Sequence, residues 1–294
     1  MRPLIRKKST AGWLMLVPVI AGLGAFFVYP LVYLIALSLS RSTLANTFQR
    51  YDGWDNFDWM FTGTNFTSSL VTTVVFAVFV SVLQLILGLL IAYLLFTSIR
   101  NGKVLRAIIL LPLMTPPVMV GIAWKLLLSP TGWINSLLSR AGLIEHPISI
   151  LGDQRFAFPS IMLADTWQWT PFIVILAYAA LQSLPEDVFE AAALDGANGR
   201  TTFFKLALPM LAPALLSVLL IRMIMAFKTF DLIFVLTQGG PGGATDMSTY
   251  MIWRTAFQEL DLGLAAAETL YFAVVISIVT LPIVFLNNKV ESRL

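Results

Sequence analysis

Six stretches of this chain are apolar for longer than a bilayer is thick: Gly12–Ser40, Ser69–Thr97, Val104–Leu128, Phe156–Leu181, Met210–Leu236 and Leu264–Leu286. About 20 apolar residues span the hydrocarbon core as a helix. In lipid every backbone N–H and C=O must be satisfied within the protein, so only helices and closed barrels cross it. The fold class expected is all-α and polytopic, with six transmembrane helices. The rest of the composition agrees: 58% of residues are hydrophobic and 12% charged, against roughly 25% charged in soluble domains. Several runs are longer than one crossing needs, which predicts tilt or extension into water.

Lys and Arg set the orientation. With the N-terminus inside, the cytoplasmic side holds Arg2, Arg6, Lys7, Lys8, Arg100, Lys103, Arg106, Arg200, Lys205, Lys289 and Arg293. The outer side holds Arg41, Arg50, Arg140, Arg155 and Arg254. Both termini are therefore expected in the cytoplasm, in a cytoplasmic (inner) membrane. The first run is too long for a secretory signal and no small-residue cleavage site follows it, so it reads as an uncleaved signal anchor. The basic residues sort by membrane side and form no soluble basic face, which argues against nucleic acid despite a pI near 9.2. Without cysteine, disulfides and thiolate metal sites are excluded. The one histidine, His146, precedes Pro147 in a loop and reads as a surface residue, not a ligand.

The outer stretch Arg41–Ser68 holds Tyr51, Asp52, Trp54, Asp55, Phe57, Asp58 and Trp59. An interfacial aromatic belt and a contact with an external partner are both open. In the third run, Pro112, Pro116 and Pro117 predict a kink or local unwinding. The carbonyls freed there need buried or wet surroundings, as on a pathway-lining helix or at a packing kink.

Between the fourth and fifth runs lies a polar elbow, EAAALDGANGRTTFFKLALPML, from Glu190 to Met210. Pro185 suits a helix start, and Glu186 and Asp187 complement the helix dipole. Gly196 is placed to end that helix in the left-handed conformation. Asn198 or Thr201 is placed to cap a second short helix carrying Phe203, Phe204 and Leu206, before Leu208-Pro209 opens the fifth span. The small alanines allow close approach of a partner, and the phenylalanines offer an apolar knob. A polar hairpin that merely links two spans has the same composition.

The run Glu190-Ala191-Ala192, Gly196, Leu206 and Leu208-Pro209 resembles the EAA loop of bacterial ABC-importer permeases. FKTFDLIFVLTQGGPGGAT, from Phe227 to Thr245, and YMIWRTAFQELDLGLAAAETL, from Tyr250 to Leu270, are similar to the carbohydrate-importer branch, the maltose and glycerol-phosphate F/A-type subunits. The likeness covers roughly Ser69 to the C-terminus. It implies a type I ABC importer permease fold. The organisation implied is an N-terminal tail, first span and external loop over 1–68, a permease core over 69–287 with its EAA loop at 184–209, and a cytoplasmic tail over 288–294. It also implies four kinds of partner: a second homologous permease, two ATP-binding-cassette ATPase subunits, an external solute-binding protein and a carbohydrate substrate. Glu190, Ala191, Ala192, Gly196, Phe203, Leu208 and Pro209 would then couple to the ATPase. The chain lacks a G-x-x-x-x-G-K-[ST] run, so no cofactor is expected on it. ATP and Mg would sit on the partner subunits, and this chain would not be an enzyme.

Six ionisable residues fall within the runs: Lys125, Asp165, Arg222, Lys228, Asp231 and Glu268. Such groups are costly in lipid and face the bundle interior or pair with one another. Lys228 and Asp231 are within pairing reach on one helix; Asp165 or Glu268 is available to Arg222 or Lys228. Snorkelling applies best to Lys125, Asp231 and Glu268. The polar cluster either lines a solute pathway or fixes helix register. In maltose-type relatives the fourth and fifth spans contact substrate. Matching WQWTPF and RMIMAFKTFD implies Trp169, Phe172, Arg222, Ala226 and Thr229 as pathway residues, with Lys228 and Asp231 beside them. Arg222, Ala226 and Thr229 are spaced i, i+4, i+7, which places them on one helix face. Arg222 and Ala226 depart from the maltose pattern, where a small polar residue and an amide stand. Arg222 either recognises an acidic or phosphorylated sugar or is held by a carboxylate, and Trp169 is either a stacking platform or helix packing. The rival is an ion-driven secondary transporter that uses Asp165, Asp231 and Glu268.

Overall fold

The structure, a computed structural model, describes residues 10–98 and 103–292. Of the residues that set the expected orientation, Arg2, Arg6, Lys7, Lys8, Arg100 and Arg293 lie outside the described residues. The helices, in chain order, are α1 (Thr10–Leu23), α2 (Tyr29–Ser38), α3 (Asp55–Thr62), α4 (Phe66–Ser98), α5 (Lys103–Met114), α6 (Pro117–Leu128), α7 (Trp133–Arg140) and α8 (Gln154–Gln182). They continue with α9 (Glu186–Leu194), α10 (Gly199–Thr202), α11 (Leu208–Phe227), α12 (Asp231–Leu236), α13 (Ser248–Phe257) and α14 (Leu262–Glu291). Two strands, β1 (Ser40–Arg41) and β2 (Arg50–Tyr51), pair antiparallel.

Among the described residues, four helical rods are long and apolar enough to cross a membrane: Met15–Ser38, Phe66–Thr97, Gly199–Phe227 and Leu262–Val290. Two bent pairs, Ala107–Met114 with Pro117–Arg140 and Gln154–Gln182 with Glu186–Leu194, make six if each counts as one span. Counted that way, they correspond to the six expected runs.

The chain forms two compact units. One comprises residues up to 65 and 252–271. It holds the small β1–β2 ladder, a departure from the purely helical expectation with a local cause. Asn56 Nδ2 donates to the carbonyls of Ser38 (2.9 Å) and Ser40 (3.0 Å), and Leu262 and Gly263 donate to Ser42 O. A Cβ at Gly263 would lie 2.4 Å from Ser40 O, so only glycine fits there. Glu268 belongs to this unit and is fully buried; its carboxylate is enclosed by packing and does not snorkel as expected.

The other unit comprises residues 66–251 and 272 onward. Its core joins α4, α8 and α11 through Ala92, Leu95, Val174, Ala177, Leu181, Leu211 and Leu215. Lipid is as apolar as leucine, so burial from water does not drive such packing; close approach of small residues does. Gly88 shows this: a Cβ there would lie 2.6 Å from the Ile173 side chain. Asp153 caps α8, accepting from Arg155 N at 2.9 Å. Hydrogen bonding from Arg155 holds the Asp153 carboxyl down at about 2.

The third run breaks between Met114 and Pro117, and the chain turns by 99°. Pro117 has no N–H to continue the ladder, and Pro116 disfavours the helical conformation at Thr115. Pro112, by contrast, stays inside α5. The fifth run differs from expectation at both ends. The second elbow helix does not stop before the span: α10, a π-helical turn over Phe203–Ala207 and α11 form one rod from Gly199 to Phe227. At the far end the helix stops at Phe227, nine residues short of Leu236, and α12 starts afresh at Asp231. Apolar content continues through Leu236, so hydropathy does not register this backbone break.

Candidate functional site

The break after α11 forms one wall of a cleft of about 180 Å³ lined by Pro117, Asp165, Gln168, Trp169, Met225, Lys228, Thr229, Phe230, Asp231 and Leu232. Four expected pathway residues, Trp169, Thr229, Lys228 and Asp231, meet here. Thr229, Lys228 and Asp231 do so because the helix ends. Thr229 therefore does not share a helical face with Arg222 and Ala226, and Lys228 and Asp231 are not on one helix, contrary to the sequence reading. Ala226 is fully buried in α11. Phe172 stands beside Trp169, its ring edge-on at 6.3 Å. Lys125, on α6, donates to Val235 O at 2.9 Å.

Behind the cleft, α4, α8 and α11 meet in a polar triad. Arg222 donates from Nε to Gln84 Oε1 and from Nη2 to Asp165 Oδ2, and Gln84 Nε2 donates to Asp165 Oδ2 at 2.8 Å. All three side chains are fully buried. The Arg222 guanidinium also lies 5.3 Å from the Trp169 ring centre, within cation–π range. Of the two alternatives open for Arg222, the structure shows the carboxylate partner. Gln84 escaped the sequence reading, although an amide alone in the run VLQLILG was a visible signal.

The break between α5 and α6 is anchored to the same region. Gln168 Nε2 donates to Thr115 O at 3.1 Å, satisfying a carbonyl that the prolines freed. The loop after α12 is closed by glycines. Gly239 has φ +82°, and a Cβ there would lie 2.0 Å from Asp246 Oδ1. Thr245 Oγ1 donates to Gly240 O at 2.7 Å across the same loop.

The elbow is built as a second, separate surface. α9 ends in a Schellman motif: Ala197 N donates to Ala192 O (2.9 Å) and Gly196 N to Ala193 O (3.1 Å). Gly196, at φ +74°, takes the left-handed position this closure requires. Asn198 caps α10, its Oδ1 accepting from Thr201 N at 2.9 Å. The elbow is tied to α4 through Tyr93, whose ring lies 4.4 Å from Phe203 and whose hydroxyl donates to Gly199 O. Phe203 is thus half-buried, while Phe204 is 57% exposed. Glu190, Ala191 and Gly196 are exposed, but Ala192 is buried and faces inward, opposite to the sequence reading. Leu208 is half-buried and Pro209 exposed at the start of α11. Leu194, not singled out from sequence, is 90% exposed at the end of α9. A leucine directly before the Asp195-Gly196 closure was the signal for it.

The model of the family described as "Binding-protein-dependent transport system inner membrane component" matches residues 84–292. The chain is 36% identical over 259 residues to the trehalose/maltose transport system permease protein MalF of Thermococcus litoralis, covering 87% of this chain and 85% of that one. It is 31% identical over 281 residues to the sn-glycerol-3-phosphate transport system permease protein UgpA of Escherichia coli O157:H7, covering 95% and 94%. In fold it matches a chain of a bacterial ABC transporter involved in import of the acidic polysaccharide alginate, with a TM-score of 0.80, 24% identity and 94% of each chain covered. A chain of the MetNI methionine ABC transporter matches with a TM-score of 0.57, 15% identity and 80% and 98% coverage. With an elbow, a broken-helix cleft and this family match over most of its length, the chain belongs to the inner-membrane components of binding-protein-dependent transport systems.

Proposed function

We propose that this chain is the permease subunit of an ATP-driven importer that moves a carbohydrate across the cytoplasmic membrane by alternating access. It would form the pore with a second, homologous permease and receive substrate from an external solute-binding protein. Two ATPase subunits would bind ATP and Mg, with no cofactor on this chain. The elbow would lie on the cytoplasmic side with both termini, and the permease core would run over 69–287.

The observation that carries the coupling role is the elbow's geometry. Apolar Leu194 and Phe204 stand open to solvent beside small Ala191 and Gly196 and charged Glu190, on a frame closed by its own hydrogen bonds. A mere linker has no reason to hold apolar side chains rigidly outward. Ala192 supports this surface from beneath, and Phe203, Leu208 and Pro209 fix its base. The relatives named for trehalose/maltose and glycerol 3-phosphate support a carbohydrate or a sugar derivative as substrate. An ion-coupled carrier using Asp165, Asp231 and Glu268 fits less well, because Asp165 is already held by Arg222 and Gln84.

Co-purification from the native membrane tests the proposal. Wild type should bring down an ATPase and a second permease, and Glu190→Lys or Gly196→Asp should lose the ATPase while keeping the permease. Solute movement in vesicles by this chain alone, without ATP, would sink it.

A further inference from the structure

Two spans are broken, and both breaks border one cleft. The third run breaks at Thr115–Pro116 and the fifth at Lys228–Phe230. Pro117, Lys228, Thr229 and Phe230 all line the cleft. Beyond the breaks, the detached halves α6 and α12 pack on each other. Gly121 of α6 lets them meet closely, since a Cβ there would lie 2.9 Å from Val235 Cβ of α12. Lys125, one turn further along α6, donates from Nζ to Val235 O at 2.9 Å. Val235 stands in the last turn of α12, where carbonyls lack a partner within the helix and the dipole favours a cation. Val235 is thus held from α6 both by its side chain and by its carbonyl. A side chain from a neighbouring helix also holds the backbone at each break. Gln168 of α8 donates to Thr115 O at 3.1 Å, and Thr249 of α13 donates to Thr229 O at 2.7 Å.

From this arrangement we infer that α6 and α12 form one leaf that swings as a unit about the two breaks and so opens or closes the cleft, with Lys125 and Gly121 as the positioning residues that hold its halves together. The inference rests on the reading that this chain works by alternating access, and it identifies a part that moves. Hinges are short stretches at the ends of elements that absorb a large dihedral change, and each break supplies one. Separate swings of α6 and α12 would shear the close contact at Gly121 and strip Val235 O of its donor. Closely packed surfaces shift between discrete arrangements and do not deform continuously, so the two halves travel together.

The test uses the whole importer, purified through this chain with its native partners and held in a bilayer. This chain has no cysteine, so paired cysteines carry spin labels to chosen sites once any cysteines of the partners are replaced. Labels at Leu126 and Gln238 report a distance within the leaf. Labels at Leu126 and Leu163 of α8 report a distance across the break, and all three positions are exposed. Between the resting complex and one trapped during ATP hydrolysis with vanadate, the distance across the break should shift by more than about 2 Å. The distance within the leaf should stay fixed. Lys125→Met should broaden the distance within the leaf and lower the solute moved per ATP about tenfold, the weight of one hydrogen bond from a charged group. Lys125→Arg, which keeps a donor, should retain most of the coupling. Gly121→Ala should uncouple likewise, and adding Val235→Gly, which removes the clashing atoms, should restore it. That pair carries the same question should Lys125→Met not fold. Equal shifts in both distances overturn the inference and leave ATP-driven import standing, as does a fixed distance across the break while solute moves. Unchanged coupling in folded Lys125→Met and Gly121→Ala overturns the role of these residues. Solute movement that needs no ATP overturns the import reading and the inference with it.

Discussion

The triad behind the cleft and the elbow are both polar interruptions of an apolar chain, yet they follow opposite rules. In the triad, Arg222, Asp165 and Gln84 are 0% exposed, and their charge and amides are directed at one another. In the elbow the polar groups close the backbone on itself, through Gly196 and Asn198, and apolar Leu194 is left 90% exposed. One region turns its charges inward on one another, and the other holds apolar side chains outward, where a partner can cover them. Enclosure in lipid penalises an unpaired charge. A short water-facing hairpin satisfies itself by capping, which frees its side chains for recognition.

The sharpest way to break this contrast is to remove one member of the triad. Arg222→Met leaves the Asp165 carboxylate buried without its cation and should cost about 3–5 kcal/mol. Adding Asp165→Leu removes the orphaned charge and should recover much of that loss, read as thermal stability in nanodiscs. Equal loss in the single and double variants would mean the pairing is not what matters. The next effect is at the elbow hinge. Gly196→Val forces a β-branched residue to φ +74°. A Cβ there meets nothing within 4 Å, so the cost is backbone strain alone, about 1–2 kcal/mol. It should appear as faster hydrogen exchange confined to the end of α9, and Gly196→Asn should restore most of the protection. The smallest effect on the fold sharpens the comparison most. Leu194→Ser should leave stability within about 0.5 kcal/mol and still reduce ATPase capture; unchanged capture would mean the exposed leucine is not part of the contact.

These two regions also differed in how far they could be read from residues alone. The elbow was legible because capping rules act over four or five neighbours: Gly196 and Asn198 stand where a Schellman closure and an N-cap need them. The break at Thr115–Pro116 was legible for the same reason, since proline acts on its immediate surroundings. The triad depends on residues 57 and 138 positions apart, and no local pattern joins Gln84 to Arg222. The end of α11 at Phe227 was hidden for a different reason. Leu232, Ile233 and Leu236 are buried and apolar, so the sequence looks the same whether or not the helix continues. That single difference moved Thr229, Lys228 and Asp231 from a helix face to a cleft wall.

The unbroken rod from Gly199 to Phe227 has a mechanical consequence. Its near end is the capped turn of the elbow, and Arg222 lies roughly 35 Å further along at 1.5 Å per residue. The backbone stays helical through the π-helical turn at Phe203–Ala207 and past Pro213, and the first break comes after Phe227, in the wall of the cleft itself. Under the proposed function the helix would act as a drive shaft, carrying a push at Gly199 past the triad to the wall of the cleft. A hinge placed midway, for example a proline pair at Val218-Leu219, would leave both ends folded and disconnect them.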